Sequence, residues 1–261
     1  MTSQPDHSLS SRITKYFAYG ALGIFAAGLA GLVLLAFLLH YYARDLPDYK
    51  QLADYNPEVV SRVYAGNGQL VAEYARQNRI FVPIDAIPRP VIRAFLSAED
   101  KNFYQHPGLD FTSILRAMLQ NVSNIASDRR LIGASTITQQ VAKNFLLTNE
   151  ISIERKIKEA ILAFRIERTF GKDEILELYL NEIYLGSGAY GVASAALEYF
   201  DKALDELTID EIAYLAALPK APNNYHPVRN HDAAVSRRNW VIMRMFEDGH
   251  ISEAEAMTAR H

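Results

Sequence analysis

Residues 97–110 read SAEDKNFYQHPGLD. Two adjacent carboxylates, Glu99 and Asp100, stand with a lysine, two aromatics and His106 just ahead of a Pro-Gly break. A carboxylate held at the mouth of a cleft can take a proton from a hydroxyl, so Glu99 or Asp100 is a candidate general base. A second polar set, Ser135, Gln139, Gln140 and Lys143, lies in STITQQVAKN, and a third, Arg155, Lys156 and Glu159, in RKIKE. Taken singly, each has a plain reading. Arg155 and Glu159 are four apart on a helix and read as an exposed ion pair, worth a few tenths of a kcal/mol. Gln139, Gln140 and Lys143 read as the wet face of an apolar helix. His106, beside Pro107 and Gly108, reads as a packed, hydrogen-bonded histidine at a turn.

The elements around these residues are mostly helical. PVIRAFL leads into the carboxylates as a packed helix. Asp110 is placed to cap FTSILRAMLQNV, Ser135 to cap TITQQVAKNFLL, and Ser152 to cap a helix that stops at Gly171. Lys172 and Asp173 open EILELYLNEIYL. YGVASAALEYF, TIDEIAYLAALP and AAVSRRNWVIMRMFEDG read as further helices. Ahead of them, SRVYAGNGQLVAEYA has strand-like runs on either side of a Gly-Asn-Gly, the pattern of a β-hairpin. NRIFVPI reads as a third strand. Residues 121–134 carry no clear period and read as a long, functional loop.

The chain has 261 residues, a net charge of −3 and no cysteine. Disulfides and thiolate metal sites are excluded, and nothing in the charge points to nucleic acid. Residues 16–42 contain no Asp, Glu, Lys or Arg. Roughly 20 apolar residues span a bilayer core, so this segment is long enough to cross one. Tyr16, Tyr19, Tyr41 and Tyr42 sit at its ends, as interfacial aromatics do. A cleaved signal peptide would have a shorter apolar run and a small-residue cleavage site, which LLHYYARDLPDY lacks. Arg12 and Lys15 precede the segment and favour a cytoplasmic N-terminus.

The motifs gain meaning as an ordered set. ED-x-x-F-x-x-H-x-G covers Glu99, Asp100, Phe103, His106 and Gly108. GASTITQQ-x-x-KN, RK-x-x-E, K-x-x-ILELYLNEIYLG and LAALPKAPNNYHPVRN…RRNW follow in order. This set resembles the glycosyltransferase family 51 domain of class A penicillin-binding proteins and monofunctional transglycosylases, from about residue 55 to 261. Several stretches are worded most like the 1A-type bifunctional members. The resemblance implies a mainly α, lysozyme-like glycosyltransferase domain, preceded by one transmembrane helix and a short β-hairpin segment. The implied division is a cytoplasmic tail (1–15), an anchor (16–42), a juxtamembrane linker with hairpin (43–86) and the catalytic domain (87–261). The catalytic domain would lie in the periplasm, at the bacterial inner membrane. No serine is followed three residues later by lysine, so no transpeptidase domain is expected here.

The implied reaction polymerises lipid II into glycan strands. Glu99 is the implied base and Glu159 the second catalytic glutamate. Asp100, Ser135, Gln139, Gln140, Lys143, Arg155 and Lys156 are the implied substrate-binding residues. Fixed cations stabilise charge developing on a leaving diphosphate, the work expected of Lys143, Arg155 and Lys156. Glu159 is expected to orient those cations or to hold Mg²⁺ or Mn²⁺ at the diphosphate. Ile151 aligns where many members carry an arginine, so either Arg155, Lys156 or a loop arginine such as Arg129 or Arg130 compensates, or diphosphate binding is weaker. The expected partners are lipid II, the nascent glycan and the bilayer, with other cell-wall synthesis proteins by resemblance alone. The competing readings are a lysozyme-like hydrolase or lytic transglycosylase, and a non-catalytic cell-wall scaffold.

Overall fold

The computed structural model describes residues 7–53, 61–66, 70–74, 78–126, 133–147, 150 and 152–261. Its contacts divide the chain into two compact units, residues 1–46 and 47–261. The first unit holds helix α1, His7–Tyr42. Helix therefore begins well before the apolar segment, because nothing in HSLSSRITK breaks a helix once a long apolar one can propagate into it. Within α1, the span Tyr19–Tyr42 contains an 18-residue stretch with a mean hydropathy of 2.6, and none of that stretch is buried. Leu22, Ile24, Phe25 and Leu32 are all more than half exposed on it. An uncovered apolar helix of this length has the dimensions and surface of a membrane span.

The second unit opens with the expected hairpin. Strands β1 (Ser61–Tyr64) and β2 (Leu70–Tyr74) pair antiparallel, with Ser61 opposite Tyr74 and a register shift after Val63. Two residues of the turn, Asn67 and Gly68, lie outside the described residues. The third strand is shorter than its sequence suggests. Only β3, Asn78–Arg79, is in a ladder, and it pairs in parallel with β4, Ala189–Tyr190. The rest of NRIFVPI is held by side chains of a helix. Asn181 accepts from the Val82 N–H at 2.8 Å and donates to the Val82 carbonyl at 2.9 Å, while Glu177 accepts from the Ile84 N–H at 2.7 Å. The primary amide copies the donor and acceptor of a neighbouring strand, so no strand is needed there.

The body is helical: α2 (Arg89–Glu99), α3 (Phe111–Ala126), α4 (Ile137–Leu146), α5 (Ile153–Glu167), α6 (Lys172–Glu182), α7 (Val192–Phe200), α8 (Ile209–Ala217), α9 (His231–Glu247) and α10 (Glu253–Thr258). Helix α2 packs on α8 and α9, and α4 packs on α5 and α6. Val91, Ala94 and Phe95 of α2 are fully buried, and Phe95 meets Tyr179 edge to face at 6.3 Å between ring centres. The helix starts obey local chemistry. Asp110 caps α3, accepting from the Ser113 N–H at 2.9 Å, and Ser152 caps α5, accepting from the Arg155 N–H at 3.0 Å. The cap of α4 is Thr136 rather than Ser135, because only Thr136 has a glutamine three residues on to complete a capping box.

Helix α3 runs to Ala126, so the first part of the expected 121–134 loop is helix, and 127–132 lie outside the described residues. Its Phe111, Leu115, Met118, Leu119 and Val122 are all more than half exposed. They recur at three- and four-residue spacing and form one uncovered apolar stripe.

Candidate active site

Helix α2 ends at Glu99, and the chain turns through His106 and Gly108 before α3. Asp100 secures this turn from below. Its two oxygens lie 3.0 Å from Nε2 of His106, and one also accepts from the Ile137 N–H at 3.0 Å. The Gly108 N–H donates to Nδ1 of His106 at 3.2 Å. That assigns the tautomer: Nδ1 accepts and Nε2 carries the proton toward Asp100. Thr136 donates through Oγ1 to the Gly108 carbonyl at 2.6 Å. Gly108 has φ +95°, and a Cβ there would sit 2.8 Å from the Ala163 carbonyl oxygen of α5. Lys172 closes the arrangement, donating to the His106 carbonyl and to Glu167 at 2.7 Å each, with its ammonium 4.3 Å from the Phe103 ring centre. The turn is thus clamped between α4, α5 and α6, and Glu99 is presented above it.

Glu99 stands where two cavities meet. One, of about 510 Å³, is lined by Gln140, Lys143, Arg155, Lys156 and Glu159. The other, of about 430 Å³, is lined by Lys101, Ser113, Arg116 and Arg244. Gln140 donates through Nε2 to a Glu99 oxygen at 2.9 Å. Removal from water pushes the Glu99 carboxyl up, and the Asp100 charge adds to this. The Gln140 bond and the positive charges of Arg237 and Lys220 pull it back only in part.

Glu159 is only 1 % exposed. One of its oxygens lies 3.2 Å from Nε of Arg155, and the other accepts from the Lys156 ammonium. Lys156 also donates to Ser135 at 2.8 Å. The carboxylate thereby fixes two cations along the cleft wall. Among the described residues, no group of three or more His, Asp or Glu side chains is placed to hold a metal ion.

The structure brings Glu99, Ser135, Gln139, Gln140, Lys143, Arg155, Lys156 and Glu159 to one cleft. Two expected substrate ligands also make bonds inside the protein. Asp100 holds His106 and the start of α4. Gln139 is 5 % exposed, and its amide oxygen accepts from the Thr136 N–H at 3.0 Å. Gln140 has a role its position did not reveal, since it holds Glu99. Ile151, Arg129 and Arg130 lie outside the described residues. Among the cleft residues with no role assigned from sequence are Lys220, Arg237 and Trp240. Their signal was the closing block, where PK and RRNW stand; Arg237 and Trp240 are three apart on α9 and so share a face.

A mainly helical body thus gathers two carboxylates, Glu99 and Glu159, and the cations Lys143, Arg155 and Lys156 in one cleft. Residues 67–246 match the family described as Transglycosylase, and the chain belongs to that family. It is 56 % identical over 231 residues to penicillin-binding protein 1A of Rickettsia felis, covering 88 % of this chain and 29 % of that protein. It is 47 % identical over 219 residues to penicillin-binding protein 1A of Escherichia coli, covering 84 % and 25 %. The crystal structure of penicillin-binding protein 1A from Haemophilus influenzae aligns with a TM-score of 0.44 and 28 % identity, over 79 % of this chain and 21 % of that one. The chain thus spans less than a third of the length of these relatives.

Proposed function

We propose that this chain is a membrane-anchored peptidoglycan glycosyltransferase that polymerises lipid II. The observation that carries the reading is Glu99 at the junction of two cavities, one of them walled by Lys143, Arg155 and Lys156. The cationic cavity takes the sugar that leaves its polyprenyl diphosphate. The second cavity takes the sugar that supplies the C4 hydroxyl. Glu99 removes the proton from that hydroxyl as its oxygen bonds to C1 of the donor, and the C1–diphosphate bond breaks. Such general-base help contributes about 10²–10⁴-fold. A carboxyl raised by burial is a stronger base than an exposed one, and ionised it accepts the proton readily. The leaving diphosphate gathers negative charge, which Lys143, Arg155 and Lys156 meet without reorganising. Attack from the side opposite the diphosphate inverts C1.

The divalent cation expected on Glu159 does not fit this donor set. A carboxylate already facing a guanidinium and an ammonium offers a second cation repulsion in place of free oxygens. Glu159 instead positions Arg155 and Lys156, and no step is routed through a metal.

A hydrolase of the same glycan has no use for a cationic wall beside its carboxylate, which favours transfer over hydrolysis. A polyprenyl substrate stays in the bilayer, and the apolar span in α1 and the uncovered stripe on α3 both suit work at a membrane surface. Arg12 and Lys15 ahead of the span favour a cytoplasmic N-terminus and a periplasmic catalytic unit.

The test is incubation of the detergent-solubilised chain with labelled lipid II. Long glycan chains and free polyprenyl diphosphate are expected. Cleavage of preformed glycan with no polymer from lipid II would overturn the reading in favour of a hydrolase.

A further inference from the structure

We propose that Trp240 is a stacking platform for a pyranose ring of the substrate, the ring whose hydroxyl meets Glu99. The assignment rests on the glycosyltransferase reading and names a subsite within it. Trp240 is the chain's single tryptophan. It lines both cavities at the point where they share Glu99. Tryptophan in a helical body is usually well covered, yet this one is 42 % exposed. One face of its ring is taken, since the Arg237 guanidinium carbon lies 3.8 Å from the ring centre. Arg237 lines the cationic cavity and not the second one. Arg237 thus occupies one face from the cationic side, and the proposed sugar sits on the rest of the ring, toward the cavity assigned to the attacking sugar.

A bare aromatic face suits a sugar. The C–H bonds on one face of a pyranose carry partial positive charge, and they meet the negative π face by the same quadrupole attraction that holds Arg237 opposite. Stacking fixes the plane of the sugar, and its hydroxyls project from the ring edge. With the plane set by Trp240, one edge hydroxyl is directed at Glu99 across the shared corner. Arg237 also restrains the indole from behind, so little freedom is lost when the sugar arrives. The ligand class is an N-acetylated amino sugar within a β-1,4-linked glycan, bound by its apolar face.

Because Trp240 is the chain's single tryptophan, its emission reports on this subsite alone. Chitotetraose, a β-1,4-linked oligomer of N-acetylglucosamine without diphosphate, is titrated into the detergent-solubilised full chain. A saturable blue shift of the emission and protection from iodide quenching are expected. In lipid II polymerisation, Trp240→Ala is expected to raise KM about tenfold with kcat changed less than about threefold, and Trp240→Phe to recover most of the loss. Unchanged emission at high chitotetraose, or a wild-type KM in Trp240→Ala, overturns the platform. If chitotetraose protects Trp240 while no polymer forms from lipid II, the platform stands and the glycosyltransferase reading falls.

Discussion

The floor of the cleft and its rim are built from the same residue types on opposite principles. On the floor, Asp100, His106, Thr136 and Lys172 bond one another, the turn's backbone and the start of α4. On the rim, Glu99, Lys156 and Arg155 each have an anchor in the protein and still face the cavity. Glu99 and Asp100 are neighbours in the chain, yet one belongs to the rim and the other to the floor. The difference teaches that carboxylate identity alone does not mark a base. The base we propose is the carboxylate that faces the cavity, in a place where burial makes it a better proton acceptor.

The sharpest way to test this contrast is Glu99→Gln. It keeps the size and the Gln140 neighbour, so polymerisation is expected to fall about 10²–10⁴-fold while the thermal midpoint stays put. A large loss of stability would place Glu99 with the floor. Gly108→Ala strikes the floor itself. The positive φ and the contact with Ala163 predict a loss of about 2–4 kcal/mol in denaturant unfolding, with activity falling as the turn shifts. Wild-type stability in that variant would mean that the floor yields easily.

Arg237→Gln probes the rim's electrostatics. In the proposed mechanism Glu99 works only when ionised, so activity is expected to fall on the acidic side as its carboxyl protonates. Arg237 pulls that protonation to lower pH, and removing its charge is expected to move the acid limb of the pH–rate profile upward. A limb that stays or moves down would remove Arg237 from the account. The smallest effect is expected from Lys156→Ala. Its side chain is about half exposed, so a rate loss of about three- to tenfold that shrinks in high salt is anticipated, with little change in stability.

Much of this was legible in the sequence. The helices announced themselves by periodicity, and Asp110 and Ser152 by their positions as caps. The polar residues that share the cleft could be grouped because five motifs occurred in order. Less could be read where a residue's partner lies far along the chain. Gln139 and Gln140 are adjacent and chemically equal, and only the fold sends one into a cap and the other to Glu99. The structural bonds of Asp100 could not be read either, because its partner at Ile137 is 37 residues away. NRIFVPI has strand composition, but its hydrogen-bonding partner is an asparagine on α6. Trp240 lay in a quoted motif, but no spacing rule ties it to Glu99 on another helix.

The floor also says something about how the site comes into being. Its bonds join residues 28, 37 and 66 positions apart: Thr136 to Gly108, Ile137 to Asp100 and Lys172 to His106. Each requires closing a long loop before any contact rewards it, and contacts of that kind form after the local helices. The segments that become α2, α4 and α6 therefore bring the motif residues but not the site. Catalytic competence arrives with topology, as the segments find one another, and a partly folded chain at the membrane would carry every motif and none of the chemistry.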